Sequence, residues 1–187
     1  MIEQDIEPIN NLYQMGDRIE ESANSYGKLI DGTIEKVKLI NLSEIRPHTF
    51  HDCDKLTSTE VTGALIEKVG EYAFYNCHSL KDDNVLRFAR RIGAYAFYNC
   101  YNLDTQDWWN GPVYHIGDYA FYNCKKINDI VINCEDTSER DDWLQVGEYG
   151  FYECHNLKKV VFLRGRVSSF GDYAFANCSN LKVFILR

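Results

Sequence analysis

The sequence predicts a solenoid of stacked units, with short parallel strands on its concave side and turns and short helical segments on its convex side. Three observations carry this expectation. One eight-residue stretch recurs almost unchanged as GEYAFYNC (70–77), GAYAFYNC (93–100) and GDYAFYNC (117–124). Its phenylalanine has counterparts at Phe50, Phe74, Phe97, Phe121, Phe151 and Phe175, at intervals of 24, 23, 24, 30 and 24 residues. A short run with alternating apolar residues follows the copies, as in INDIVI (127–132), LKKVVF (157–162) and LKVFIL (181–186). A unit of that size cannot bury its apolar face alone and does so by stacking on its neighbours.

Each position of the unit has a physical role. Three residues after each phenylalanine stands a cysteine: Cys53, Cys77, Cys100, Cys124, Cys154 and Cys178. Three further on stands an aliphatic: Leu56, Leu80, Leu103, Ile127, Leu157 and Leu181. These three positions are expected to face the core, with the cysteines acting as small hydrophobes. Gly70, Gly93, Gly117, Gly147 and Gly171 precede the phenylalanines by four residues and suit a tight turn that requires positive φ. Ala73, Ala96, Ala120, Gly150 and Ala174 let neighbouring turns approach closely. Tyr72, Tyr95, Tyr119, Tyr149 and Tyr173 form one column and Tyr75, Tyr98, Tyr122 and Tyr152 another. They are expected to flank the buried phenylalanine on a helical turn and to stack with their hydroxyls in water. His48 and His51 take the tyrosine places in the first copy. IEKVKL (34–39) lacks a preceding phenylalanine unit and reads as the first strand.

The period of about 24 lies in the leucine-rich-repeat range. The consensus Ile/Val-Gly-x-Tyr-Ala-Phe-x-Asn-Cys-x-x-Leu-x-x-Val-x-Ile/Phe resembles the BspA-type leucine-rich repeat. The resemblance covers residues 30–187, a solenoid of about six repeats. Residues 1–29 are expected to form an N-terminal cap, with Ile9, Leu12, Tyr13 and Ile19 on one helical face. Family members are mostly known as bacterial or protozoan surface proteins that bind host proteins or other cells, so the resemblance implies adhesion in an exported chain. The final strand, LKVFILR, predicts an apolar edge that could pair with a second copy as a homodimer.

Composition narrows the function. The net charge of −8 and pI near 5.1 argue against nucleic acid and favour a basic or neutral protein partner. The N-terminus lacks a basic region followed by an apolar run, and no stretch is long enough to span a membrane. The chain as given therefore reads as cytoplasmic, or as extracellular if a leader has been removed. Each repeat cysteine is alone in its unit, without the paired spacing of a zinc site. Reduced thiols are expected, with neither metal nor cofactor. His78 and His155 each follow a cysteine, but adjacent positions point apart, so no nucleophile–base pair is predicted. The glycines never form a phosphate-binding loop. An enzyme is not expected.

Recognition should then lie on the outward side chains of the concave strands. Glu60, Asp82, Asp107 and Asp129 are expected to form an acidic strip, with Trp109 beside it. Val131, Val161, Leu163, Val183 and Ile185 adjoin it as an apolar area, with Lys159 also facing outward. Leu86 is also expected to face outward, and RFARR (87–91) to lie on a connecting loop. The acidic stretch CEDTSERDDW (134–143) reads as a protruding loop and a secondary contact. These features predict a non-enzymatic protein-binding module that uses the concave sheet. The alternatives are a small acidic intracellular inhibitor of immunity type that masks a basic partner, and a cell-surface adhesion module.

Overall fold

The computed structural model describes residues 33–63, 65–104, 113–133, 143–163 and 167–186. The expected N-terminal cap, Asp107, Trp109, Cys134 and nearly all of the acidic insert lie outside the described residues.

The alternating runs form parallel strands. β1 (Lys36–Ile40), β3 (Ser58–Thr62) and β5 (Asp82–Asp83) make one three-stranded sheet, and β8 (Asp129–Asn133), β10 (Lys159–Leu163) and β12 (Val183–Leu186) make another at the equivalent place in the repeat. Period-two alternation decides which side chains go inside. In β3, Thr59 and Val61 are buried while Glu60 between them is exposed.

A second, six-stranded parallel sheet was not foreseen. It runs through β2 (Glu44–Ile45), β4 (Lys68–Val69), β6 (Arg91–Ile92), β7 (His115–Ile116), β9 (Leu144–Val146) and β11 (Val167–Phe170). Most of these strands have two residues, too few for alternation to register in the sequence. Their inward members, Ile45, Val69, Ile92, Ile116 and Val146, stand just before the position of the repeat glycine and are buried. RFARR is therefore not a connecting loop. It runs from the last two residues of the four-residue helix α1 (Val85–Phe88) to the first residue of β6.

The tyrosine-bearing segments form a third face, and they are not helical. Tyr72 and Asn76 take φ values of 56° and 58°, and their counterparts in the other copies are equally left-handed. Within a copy the turn closes through short-range bonds, such as Tyr75 N–H to Tyr72 O at 3.2 Å and Cys77 N–H to Phe74 O at 3.1 Å. The alternate amides of Tyr72, Phe74 and Asn76 donate along the stack to the carbonyls of Ala94, Ala96 and Tyr98, at 3.0, 2.7 and 2.9 Å. Left-handed backbone is costly for a tyrosine. Here it is offset by bonds that recur between every pair of neighbouring copies. The repeat glycines do not have positive φ; among the described glycines only Gly63 does. Their role is close approach. A Cβ on Gly93 would lie 2.8 Å from both Glu71 N and Gly70 C.

Stacked rings fill the core. Phe50, Phe74, Phe97, Phe121, Phe151 and Phe175 form one ladder with centroids 4.9–5.2 Å apart. The outer tyrosine columns stack in the same way, and they begin as expected at His48 on Tyr72 and His51 on Tyr75, both at 4.9 Å. The six described cysteines are free and buried. Their thiols do more than fill space. Cys77 donates S–H to Phe50 O at 3.0 Å, Cys100 to Phe74 O at 3.2 Å and Cys124 to Phe97 O at 3.1 Å, so each satisfies a carbonyl of the preceding copy.

Burial holds the thiols of the last three copies in their neutral form. It pushes Cys124 and Cys154 well above the ordinary value of 9.0, and Cys178 up to about 11. Raised native values favour the protonated folded state, so this stability is fully present below pH 9 and is lost as pH rises through the native values. The urea midpoint should hold steady from pH 7 to about 9 and fall between roughly pH 9 and 11. A midpoint that is flat across that window would contradict the buried ladder.

A side-chain ladder runs parallel to the thiols. Asn76 Nδ2 donates to Asp52 Oδ1, Asn99 to Asn76 Oδ1 and Asn123 to Asn99 Oδ1, at 2.9–3.0 Å. The next copy has Glu153 instead of asparagine, and Asn123 Oδ1 is left buried without a partner. Glu153 also sits at φ 60°, where asparagine is the better tolerated residue. Glu153→Asn should restore the missing donor and relieve the backbone, raising stability by about 1–2 kcal/mol in thermal unfolding. A neutral or destabilising result would show that the ladder does not continue through this copy.

Candidate functional site

The first-sheet strands set the register of the predicted face. Lys38 stands opposite Glu60, Ser58 opposite Asp82, and Asp129 opposite Lys159. Glu60 and Asp82 therefore occupy different rows, and the acidic residues do not form one continuous strip. Lys38 Nζ lies 3.2 Å from Glu60 Oε1, with both side chains well exposed. Such a pair contributes at most about 1 kcal/mol, but it cancels the local charge. Leu86, expected outside, is fully buried in α1 because the third strand stops after two residues and the chain turns inward.

The apolar part of the prediction is brought together. Val131, Val161 and Ile185 stand side by side across β8, β10 and β12. Val161 is only 6 % exposed, with the half-buried Val131 and Ile185 on either side. Leu163 follows on the same strand and is half-buried, as is Lys159 at its start. On β12 the burial pattern relaxes. Phe184, equivalent to the buried Ile130 and Val160, is 44 % exposed.

A second polar surface went unnoticed in the sequence. A groove of about 490 Å³ crosses β4, β6, β7, β9 and β11 along the row of repeat glycines. One wall carries Lys68, Arg91, His115 and Gln145; the other carries Glu71, Asp118 and Glu148. Burial lowers the pKa of His115, the Arg91 charge lowers it further, and a hydrogen bond with Gln145 and the Asp118 carboxylate act in the opposite direction. The signal in the sequence was the polar residue two places before each glycine. Single residues at 24-residue spacing are visible only once the repeats are stacked.

The histidines beside cysteines do not pair with them. His78 Nδ1 lies 2.7 Å from Asp54 Oδ1 with its ring stacked on Tyr101, and His155 Nδ1 lies 3.0 Å from Asn177 O. Among the described residues no group of three or more His, Cys, Asp or Glu could hold a metal ion, and no helix is long and apolar enough to cross a membrane.

Stacked units of this period, closed by parallel sheets on two faces and ladders of identical side chains within, define a leucine-rich-repeat solenoid. The chain belongs to the BspA-type leucine-rich repeat family, whose model matches residues 43–182 in six copies. Among solved structures, a leucine-rich cell surface protein from Faecalibacterium prausnitzii is similar at a TM-score of 0.59 and 20% identity, over 81% of this chain and 47% of that one. The chain thus spans about half the length of that protein. A leucine-rich repeat protein from T. pallidum is similar at a TM-score of 0.53 and 19% identity, over 80% of this chain and 79% of that one. A comparison with curated proteins finds no significant match.

Proposed function

We propose that this chain is a non-enzymatic protein-binding module that recognises a partner protein through the outward face of its first-sheet strands. The observation that carries the reading is the in-register row Val131–Val161–Ile185, continued by Leu163 and bordered by Asp129 and Lys159. An apolar centre with a charged border is the usual anatomy of a protein interface. Sheet packing also fixes these side chains, which lowers the entropy lost on binding. Asp107 and Trp109 belong to this proposed surface by their place in the repeat. Membership of the family and the surface location stated for the F. prausnitzii protein support adhesion as the context.

Surface plasmon resonance against extracellular-matrix proteins at low and high salt provides the test. Val131→Lys combined with Ile185→Lys should weaken binding at least tenfold, and unchanged binding would remove the proposed face. The net charge of −8 favours a second reading, an inhibitor that masks a basic partner. Its mark is affinity that falls steeply with salt. β12 is also the outer strand of its sheet, so pairing with a second copy competes for the same edge, and light scattering would detect it.

A further inference from the structure

The groove on the second sheet does not take part in that proposed face. Its floor is the glycine row, where added side chains would strike backbone. Beside the floor, the amides of Glu71, Ala94 and Asp118 donate to no acceptor among the described residues. The next amide in the row, that of Glu148, is satisfied by Asp118 Oδ1 at 2.8 Å. An oxygen from a neighbouring copy thus already occupies the place that an oxygen from outside would take at the other amides.

The walls narrow the class of that oxygen. Unpaired donors line the floor, carboxylates line one wall, and the other offers Arg91, His115 and Gln145. A purely anionic ligand would meet Glu71, Asp118 and Glu148; a purely cationic one would meet Lys68 and Arg91. Hydroxyl groups suit all of these surfaces, because each can accept from an amide and donate to a carboxylate at once.

The spacing narrows it further. Equivalent groups recur once per copy, at the inter-strand distance of roughly 4.8 Å. An extended peptide rises roughly 3.3 Å per residue, so its same-side groups recur at about twice that and fall out of step with the rows. A pyranose chain with equatorial linkages is a straight ribbon that advances by close to one strand spacing per ring. We propose that the groove binds a linear β-1,4-linked polysaccharide along the solenoid axis, with one sugar ring on each repeat.

Isothermal titration calorimetry with cellohexaose, mannohexaose and maltohexaose tests this. At least one of the two β-1,4-linked hexaoses should bind saturably, and the coiled α-1,4-linked maltohexaose should not. The dissociation constant should rise tenfold or more in His115→Ala combined with Gln145→Ala. It should be unchanged in Val131→Lys combined with Ile185→Lys, so the two surfaces fail separately. If His115→Ala impairs folding, Gln145→Ala alone and chain length in the unaltered protein serve instead: the hexaose should bind at least tenfold more tightly than the disaccharide. No saturable binding of either β-1,4 hexaose at millimolar concentration, equal binding of maltohexaose, or binding that ignores both the groove substitutions and chain length would overturn the proposal.

Discussion

Phe97→Ala should lower the unfolding free energy by about 3–5 kcal/mol. Phe97 is fully buried and stacked between Phe74 at 4.9 Å and Phe121 at 5.2 Å. The cost of such a truncation depends on how far the surroundings collapse into the space left behind. Here they cannot collapse far. Phe74 N–H donates to Ala96 O at 2.7 Å and Phe97 N–H to Ala120 O at 2.8 Å, so backbone bonds hold the copies at their separation whether or not the ring is present. Urea denaturation measures the effect, and a loss under about 1 kcal/mol would contradict a rigid ladder. Position in the stack matters as well, because each copy leans only on its neighbours. Phe175 is only partly buried, and Phe175→Ala should cost less than Phe97→Ala.

Gly117→Ala should be comparably severe, at about 3 kcal/mol or more, the upper end of overpacking costs. The new Cβ would sit 2.6 Å from Ala94 N and 2.7 Å from Gly93 C. Both are backbone atoms, and moving them apart would break the bond from Gly117 N–H to Ile92 O at 2.8 Å. Gly150 provides the control. A Cβ there would meet Val146 Cγ1 at 3.1 Å and Gly147 O at 3.2 Å, and four other copies already carry alanine at the same place. Gly150→Ala should be neutral or stabilising by up to about 1 kcal/mol. Thermal melting of the two variants side by side separates the roles. Equal effects would show that the glycine row is not set by close approach between copies.

Much of this architecture was legible because repetition multiplies a weak signal. One Phe-x-x-Cys-x-x-Leu spacing means little, but six in register place the phenylalanine, cysteine and aliphatic columns. The structure buries nearly all of them; Phe175 and Leu181, in the last copy, are only partly buried. The first-sheet strands were legible for the same reason, down to Thr59 and Val61 inside with Glu60 outside. The second sheet was not, because a strand of two residues has no period to read. The conformation of the tyrosine turns was hidden too. A tyrosine gives no hint of positive φ, and only the bonds made to the next copy make that backbone tolerable. Leu86 was misplaced because the alternating pattern was extended past the point where the chain turns into α1. The acidic strip was misplaced because registration across strands, rather than order along them, decides which charges meet.

The sequence by itself determined the period, the inward columns and therefore the solenoid. Those features repeat locally, and burial of each apolar face admits one stacking direction. Only the tertiary structure decided what neighbours do to one another. It set Lys38 against Glu60, gathered Val131, Val161 and Ile185 into one row, left Asn123 Oδ1 without a donor, and lined a groove with residues 23 to 30 positions apart. These are contacts between copies, and a contact between copies depends on the exact side chain at one position in each. The repeat consensus is silent about those positions because they are where the copies differ.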